Sequence, residues 1–250
     1  MNKYTKTVVA ACLMTMSSWA LADLTIGAGV GVANSPYKNY DTVWSPVPIV
    51  HYQKNRFFID SLKAGANLLD SETTQIDVHV AYLPLHFKRS RTDNPALKKL
   101  DERKSTMLAG VGFSHKFNQQ RTEIAASLDA DVLDRSNSFL IDVGISHHFS
   151  PSDKFTVSPT AGILWANKDH NNYYYRVSAK ESARSGLDRY SADASIHPYV
   201  GLSMHYKLTE HVSFVAVARV DFLPNKVKNS PMVGRSTVGG IAAGLTYHFK

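Results

Sequence analysis

The sequence predicts an all-β protein: an antiparallel transmembrane β-barrel of a bacterial outer membrane. Three observations carry this prediction. The final stretch, residues 237–249, alternates apolar residues with small or polar ones and ends on the aromatic Phe249. The first 22 residues have the pattern of an export signal, and the connectors between alternating stretches are short and long in turn. A period of two is typical of a barrel strand because one face meets lipid and the other faces the lumen.

The N-terminal stretch, residues 1–22, carries Lys3 and Lys6, then an apolar segment, then Ala20 and Ala22 in an A-x-A arrangement. This is the pattern of a cleaved signal peptide, so residues 23–250 are expected to form a single outer-membrane barrel domain. The one cysteine, Cys12, lies within the signal. The exported chain then has no thiol, which excludes disulfides and cysteine catalysis.

Charge and hydropathy exclude other classes of protein. The predicted signal holds two of the 28 basic residues and no acidic one, which leaves 26 basic against 21 acidic residues, a net +5. No basic motif interleaved with aromatics indicates nucleic-acid binding. After residue 22 no apolar run approaches the length of roughly 18 residues that a membrane helix needs, so the chain is expected to span the membrane with strands.

Twelve strands account for the alternating segments. They are predicted at residues 24–33, 47–52, 56–60, 62–69, 74–85, 106–117, 122–132, 139–149, 155–165, 198–208, 212–222 and 237–249. The count depends on dividing the region 56–69 into two strands, which places the long loops after residues 34 and 86 on the same side of the membrane. The piece 56–60 is short for a span of about 9–11 residues, so ten strands is the alternative.

Connector lengths and aromatic residues orient the barrel. Long loops are extracellular and short turns periplasmic in this kind of barrel. Aromatics at strand ends form two levels on the apolar face, as interfacial girdles require: Phe117, Phe149, Phe155 and Phe249 at the periplasmic ends, and Phe139 and Trp165 at the outer ends. A water-soluble β-sandwich shares the alternation but explains neither the signal nor the two aromatic levels.

The inward faces of several strands carry charges. The candidate lumen charges are Glu123, Asp129, Asp131, Asp142, Arg219 and Asp221. Lumen positions are polar by rule, so these residues predict a hydrated lumen in which charges pair with one another; a narrow pore or a small-ligand site is the functional alternative. Ser203 and His205 share a strand face without a specific catalytic spacing, and His170 has no partner histidine at metal-ligand spacing. We therefore expect no catalytic residue, cofactor or metal.

The richest predicted loop follows residue 166 and contains three consecutive tyrosines. Its candidate interaction residues are Tyr173, Tyr174, Tyr175, Lys180, Glu181, Arg184 and Tyr190. Because aromatic rings are costly to leave in water, we expect this loop to fold over the barrel as a plug or lid. A short helix is predicted at 178–185, with Gly186 as its stop. The basic loop 86–105 is expected to meet outer-membrane lipid and lipopolysaccharide phosphates; the alternative is a solvated loop with local ion pairs.

Five sequence blocks resemble the MipA/OmpV family of outer-membrane proteins. They are GAGVGVANSPYKNYD at 27–41, LDERKSTMLAG at 100–110, VLDRSN at 132–137, YYYRVSAKESARSGL at 173–187 and NSPMV at 229–233. Four of the five lie in or beside predicted surface loops, and the likeness extends over nearly all of the exported chain. Arg176 departs from the glycine that the family pattern usually has at this position.

The resemblance implies a non-catalytic barrel of the Gram-negative cell envelope. It implies a scaffold that links a membrane-bound lytic transglycosylase to a bifunctional penicillin-binding protein in peptidoglycan remodelling. The alternative is a surface-exposed adhesin or antigen, or a narrow channel. These roles use different faces, because a murein scaffold works through the periplasmic rim whereas an adhesin works through the long loops.

Overall fold

The computed structural model of the chain describes residues 24–249, and the predicted signal peptide lies outside them. These residues form one antiparallel sheet. Its strands are β1 (Leu24–Ala33), β2 (Val43–Lys54), β3 (Phe57–Asp60), β4 (Lys63–Asp70), β5 (Thr74–Leu83), β6 (Thr106–Phe117), β7 (Thr122–Asp131), β8 (Phe139–His147), β9 (Phe149–Ser152), β10 (Phe155–Ala166), β11 (Ser195–Lys207), β12 (Val212–Phe222) and β13 (Thr237–Phe249).

The sheet closes into a barrel of twelve strands. β1 pairs with β13 along its whole length, with Leu24 opposite Phe249 and Ala33 opposite Gly240. β8 and β9 together make one barrel strand, because both pair with β10 and are separated only at His148. The twelve-strand prediction is confirmed, including the division of the region 56–69 into two strands, and the ten-strand alternative is wrong.

Strand boundaries follow the sequence pattern except where proline or a bulge intervenes. The predicted strands 106–117, 212–222 and 237–249 are confirmed at both ends. β2 begins at Val43, earlier than predicted, although the added segment contains Pro46. The predicted strand 139–149 breaks at His148, whose backbone N–H donates to the Arg121 carbonyl at 2.7 Å.

The outer face of the barrel is apolar and exposed. Val30 is 56% exposed, Ile241 52% and Leu245 52%, values that would be costly in water but suit contact with lipid. On the inner face, the β1–β13 seam is lined by glycine: Gly29 lies opposite Gly244, and a Cβ on either would collide with the backbone of the other strand. The barrel thus buries small residues at the seam and presents large ones to the membrane.

The two ends of the barrel differ in their connectors. The periplasmic turns are short, whereas the extracellular loops hold helices α1 (Lys168–Tyr175), α2 (Ala179–Ser185) and α3 (Asn225–Lys228) and the 3₁₀ turns Arg89–Arg91 and Leu97–Lys99. The predicted helix 178–185 is confirmed as α2; α1 and α3 were not predicted. Within residues 24–249, no helix has the length and apolar character needed to cross a membrane.

Candidate functional site: the loop cap and the charged lumen

Four extracellular loops pack together over the outer end of the barrel: residues 34–42, 84–105, 167–194 and 223–236. We call this assembly the cap. Its side chains form a hydrophobic cluster of their own, made of Tyr37, Phe87, Leu97, Leu100, Tyr174, Tyr175, Val177, Leu223, Val227, Met232 and Val233. Since the outward side chains of the barrel face lipid and the lumen is polar, the cap holds the main water-excluded core of the described chain.

Tyr37 lies at the centre of the cap and is 1% exposed. Its ring contacts Phe87 edge-on at a centroid distance of 4.9 Å and Tyr175 at 6.1 Å. Its hydroxyl donates to the Tyr174 carbonyl at 3.2 Å, so the polar end of this buried ring is satisfied. One residue of the first loop therefore contacts both the second loop and the loop 167–194.

The three consecutive tyrosines contact two neighbouring cap loops, through Lys104 and Ser230. The Tyr173 hydroxyl accepts the Lys104 backbone N–H at 2.9 Å, and the Tyr174 hydroxyl donates to the Lys104 carbonyl at 3.3 Å. The Tyr175 carbonyl accepts from the Ser230 hydroxyl at 2.7 Å. Burial raises the pKa of Tyr174 and Tyr175 above the ordinary tyrosine value, so both stay neutral. The triplet joins its loop to two neighbouring cap loops, an arrangement that suits a lid.

Glu181 makes the main polar contacts between the loop 167–194 and the loop 84–105. Its carboxylate is 3% exposed and accepts from the Arg103 guanidinium at 2.8 Å and from the Asp101 backbone N–H at 3.0 Å. It also completes a capping box with Ser178 at the start of α2. Burial opposes its ionisation, but hydrogen bonds from Ser178 and Arg103 outweigh burial and hold the pKa of Glu181 at about 2.

The remaining predicted residues of this loop lie at its edges. Arg184 reaches Asp101 at 2.6 Å on the exposed side of α2, and Lys180 is exposed. Tyr190 pairs with Val177 through their backbones, and its hydroxyl donates to the Lys226 carbonyl at 2.8 Å. The candidate interaction residues are thus divided between buried ties, such as Glu181, and exposed groups, such as Lys180.

Below the cap, one group of lumen charges is organised around His79. Its imidazole lies between two carboxylates, with Nδ1 2.6 Å from Asp77 and Nε2 2.8 Å from Asp129. Lys63 continues the chain at 3.1 Å from Asp77, and the Ser127 hydroxyl donates to Asp129 at 2.7 Å. The predicted lumen residue Asp129 is therefore part of a network that crosses four neighbouring strands.

A second lumen group is organised around Tyr199 and includes three predicted charges, two of which contact the Tyr199 side chain directly. Its hydroxyl donates to Asp142 at 2.8 Å, and the Arg219 guanidinium lies 3.5 Å from its ring centroid. Arg219 also makes a bidentate pair with Asp221, at 2.7–3.1 Å. The tyrosine ring lies over Gly162, where a side chain would collide with it.

The last two predicted lumen charges lie apart from these groups. Glu123 is 4% exposed and lies 3.8 Å from His148 Nε2. Asp131 lies at the outer end of β7, where its carboxylate accepts the backbone N–H groups of the turn 133–137 and the Thr106 hydroxyl. Asp131 is thus placed as the cap of a surface turn, in contrast to the paired lumen charge that the strand pattern suggested.

Ser138 and His170 are the pair that most resembles catalytic chemistry. The Ser138 hydroxyl is 2.8 Å from His170 Nδ1, but the residues are only 2% and 5% exposed. Burial lowers the pKa of His170 to about 3. A buried serine of this kind has no access to a substrate, so the contact serves packing. No group of metal-ligating side chains is formed within residues 24–249.

Sequence reasoning missed Tyr37 and Tyr199, and it counted Arg103 among the basic residues of the loop 86–105 without indicating its buried ion pair with Glu181. Tyr37 and Arg103 do lie in two of the sequence blocks that carry the family resemblance, at 27–41 and 100–110. That location was the available signal, since neither residue stands out by periodicity. Tyr199 is one alternating residue among many, and nothing local distinguishes it.

Comparison with known proteins agrees with an outer-membrane barrel. The family model described as MltA-interacting protein MipA matches residues 26–249. The chain belongs to the MipA family. It is 38% identical to MltA-interacting protein of Escherichia coli K12 over 226 residues, which cover 90% of this chain and 89% of the relative. It is 32% identical to the putative outer membrane protein YiaT of the same organism over 234 residues, 94% of each chain.

Solved structures show the same fold without close sequence similarity. An outer membrane channel from Pseudomonas putida F1 superimposes with a TM-score of 0.51 at 8% identity, covering 94% of this chain and 99% of that one. The family relatives, their names as outer membrane proteins and the closed barrel place this MipA-family chain in the outer membrane.

Proposed function

We propose that this protein is a non-catalytic scaffold of the outer membrane. It holds a lytic transglycosylase at the membrane and links it to a bifunctional penicillin-binding protein during peptidoglycan remodelling. The observation that carries the proposal is the 38% identity, over nearly the full length of both chains, to a relative named for its interaction with MltA.

The periplasmic face is the side on which such partners act, because murein lies in the periplasm. Its most distinctive element is the turn after β6. Asn118, Gln119 and Gln120 are exposed and all adopt left-handed backbone conformations, with φ of 54°, 56° and 63°. Three consecutive non-glycine residues in this region are unusual and cost free energy. Strain of this kind is concentrated at functional positions, so this turn is our candidate contact.

Affinity capture tests the scaffold. The exported protein in a native detergent extract is expected to retain a lytic transglycosylase and a penicillin-binding protein, identified by mass spectrometry. The triple substitution Asn118→Ala, Gln119→Ala and Gln120→Ala should reduce their recovery. The matched control removes residues 173–190 from the cap and should leave recovery unchanged, because those residues lie on the opposite face.

Two outcomes count against the proposal. If the native protein retains no murein enzyme, the scaffold role is wrong for this chain. If recovery of the murein enzymes depends on the cap and not on the periplasmic turn, the turn is not their contact, and the periplasmic site proposed here is wrong. The narrow-channel alternative rests on the charged lumen around His79 and Tyr199, but the packed cap opposes it.

A further inference from the structure

The barrel wall has a notch in its outer half. β2 pairs with the short strand β3 only from His51 to Lys54, and the β3–β4 hairpin turns at Ser61, whose N–H donates to the Val50 carbonyl at 2.7 Å. On this side, no described strand pairs with β2 from Val43 to Ile49. At about 3.3 Å per residue, roughly 20 Å of this side of β2 has no neighbouring strand, in a sheet that is otherwise closed.

The notch is bounded on every side. The turn 61–62 forms its lower border, and the top of β5 forms the far border, where the Tyr82 N–H donates to the Leu62 carbonyl. Above, the cap loops cross it: Tyr40 pairs with Thr92, and the Asp41 N–H donates to the Arg91 carbonyl at 2.9 Å. It is therefore a lateral window at the level of the outer leaflet.

Two prolines lie on the open edge. Since Val50 directs its carbonyl toward β3, every second residue above it, including Pro46 and Pro48, directs its main-chain groups toward the window. Opposite β1, these prolines occupy the positions facing Val30 and Ala28, where no ladder hydrogen bond is lost. Without N–H groups, the edge is a poor template for an added strand. A peptide is thus a poor occupant.

The surroundings match a lipid that bears phosphate. Trp44, on the outer face of the same edge, is 70% exposed. Above the window, the 3₁₀ turn Arg89–Arg91 and the preceding Lys88 bring three basic residues to the loop that crosses it. Arg89 is exposed, Lys88 and Arg91 are half-buried, and the Glu102 carboxylate accepts the Arg89 backbone N–H at 3.2 Å. The apolar edge of the window is complementary to an acyl chain. The cations above it are complementary to a phosphorylated headgroup.

We propose that this window binds lipopolysaccharide, with an acyl chain lying along the Pro46–Pro48 edge and a headgroup phosphate on the basic turn at Arg89. The site is separate from the periplasmic face proposed for murein enzymes. Occupation of the window by an acyl chain completes the wall where the sheet does not.

Binding of purified lipopolysaccharide to the full-length exported protein tests the site. The protein is purified in detergent and stripped of lipid, and binding is then measured by native mass spectrometry. One tightly bound molecule per chain is expected. Arg89→Glu should weaken binding about tenfold, the loss expected for one charge-assisted contact. Its control, Lys99→Glu, changes an exposed lysine of the same loop that lies outside the basic turn.

A second pair of variants tests the apolar edge of the window. Trp44→Ala should also weaken binding, whereas Phe57→Ala should not, because Phe57 is similarly exposed, at 68%, but lies at the periplasmic end of β3. Heat-modifiable migration confirms that each variant is folded. Equal binding in all four variants overturns the proposal, as does equal affinity for phosphatidylglycerol. A dimer joined through the open edge, seen as a doubled mass without lipid, would also overturn it.

Discussion

The two ends of this barrel are built on opposite principles. At the extracellular end, four loops distant in sequence share one buried core around Tyr37 and Phe87. At the periplasmic end, each turn is short and local, and its shape comes from backbone conformation, as in the left-handed residues 118–120. The outer end therefore depends on contacts between loops, and any one loop affects the others. The inner end consists of short turns that share no buried core, so a change in one turn should affect the others less.

Removal of residues 173–190 should have the largest effect on the outer end of the barrel. The junction is favourable because Asn172 already contacts both Ser191 and Ala192, at 3.0 Å. The deletion takes away Tyr174, Tyr175 and Glu181, and the cap should lose its core and open the lumen. Single-channel recordings in planar bilayers should show a higher conductance than the intact protein. Unchanged conductance would mean that these residues do not close the mouth.

The ion pair between Arg103 and Glu181 offers a more specific test of how the cap loops depend on one another. Arg103→Met removes the closer of two cations from a buried carboxylate, leaving Arg184 at 4.0 Å, and should destabilise the cap by about 3 kcal/mol. The double variant Arg103→Met, Glu181→Met should recover much of this loss, because it removes both charges together. External protease cleavage of the loop 167–194 in whole cells measures cap opening. Equal cleavage of the single and double variants would show that the pair is not coupled.

The same ion pair predicts that the stability of the cap depends on pH. The pKa of Glu181 is about 2 in the folded cap, below its ordinary value of about 4.3. A depressed pKa gives stability that is fully present above the ordinary value and is lost as pH falls toward 2. Protease resistance should therefore hold at pH 5 and weaken at lower pH, measured with an acid-active protease. Glu181→Gln should remove this contribution, and a pH profile identical to that of the intact protein would contradict the assignment.

The smallest expected effect lies at the end of α2. Gly186 has φ of 76°, a left-handed conformation, with nothing within 4 Å of an added Cβ. Gly186→Ala should thus cost about 1 kcal/mol through backbone strain alone. The matched change Ala183→Gly, in the exposed middle of the same helix, should cost a similar amount through helix propensity. Hydrogen exchange of α2 measures both, and a stabilised Gly186→Ala variant would contradict the strain argument.

The strands could be predicted from the sequence because each barrel position has only two environments. Alternation therefore places 106–117, 212–222 and 237–249 correctly without any knowledge of partners. Local chemistry also predicts α2, since Ser178, Glu181 and Gly186 are capping signals within one short segment. In the early part of β2, residues 43–46, the pattern failed, because Pro46 normally argues against a strand and here lies on an edge that does not pair with β3.

The candidate site was less predictable, since it depends on pairs distant in sequence. The lumen carboxylates could be placed on the inner face, but the partners that His79 and Tyr199 provide come from other strands. The tyrosine triplet predicted that its loop folds over the barrel. It did not indicate that Tyr37, 137 residues earlier, would donate to the Tyr174 carbonyl.

The contact between Tyr37 and Val233 has a consequence for the order of assembly. These residues lie near opposite ends of the exported chain, and they meet only when β1 and β13 have joined. Contacts of such sequence separation form late, after the entropy of closing the intervening chain has been lost. The loops must also reach the cell surface before they can pack. Formation of the cap is therefore the final step of biogenesis, and it takes place on the side of the membrane opposite to the one from which the chain is delivered.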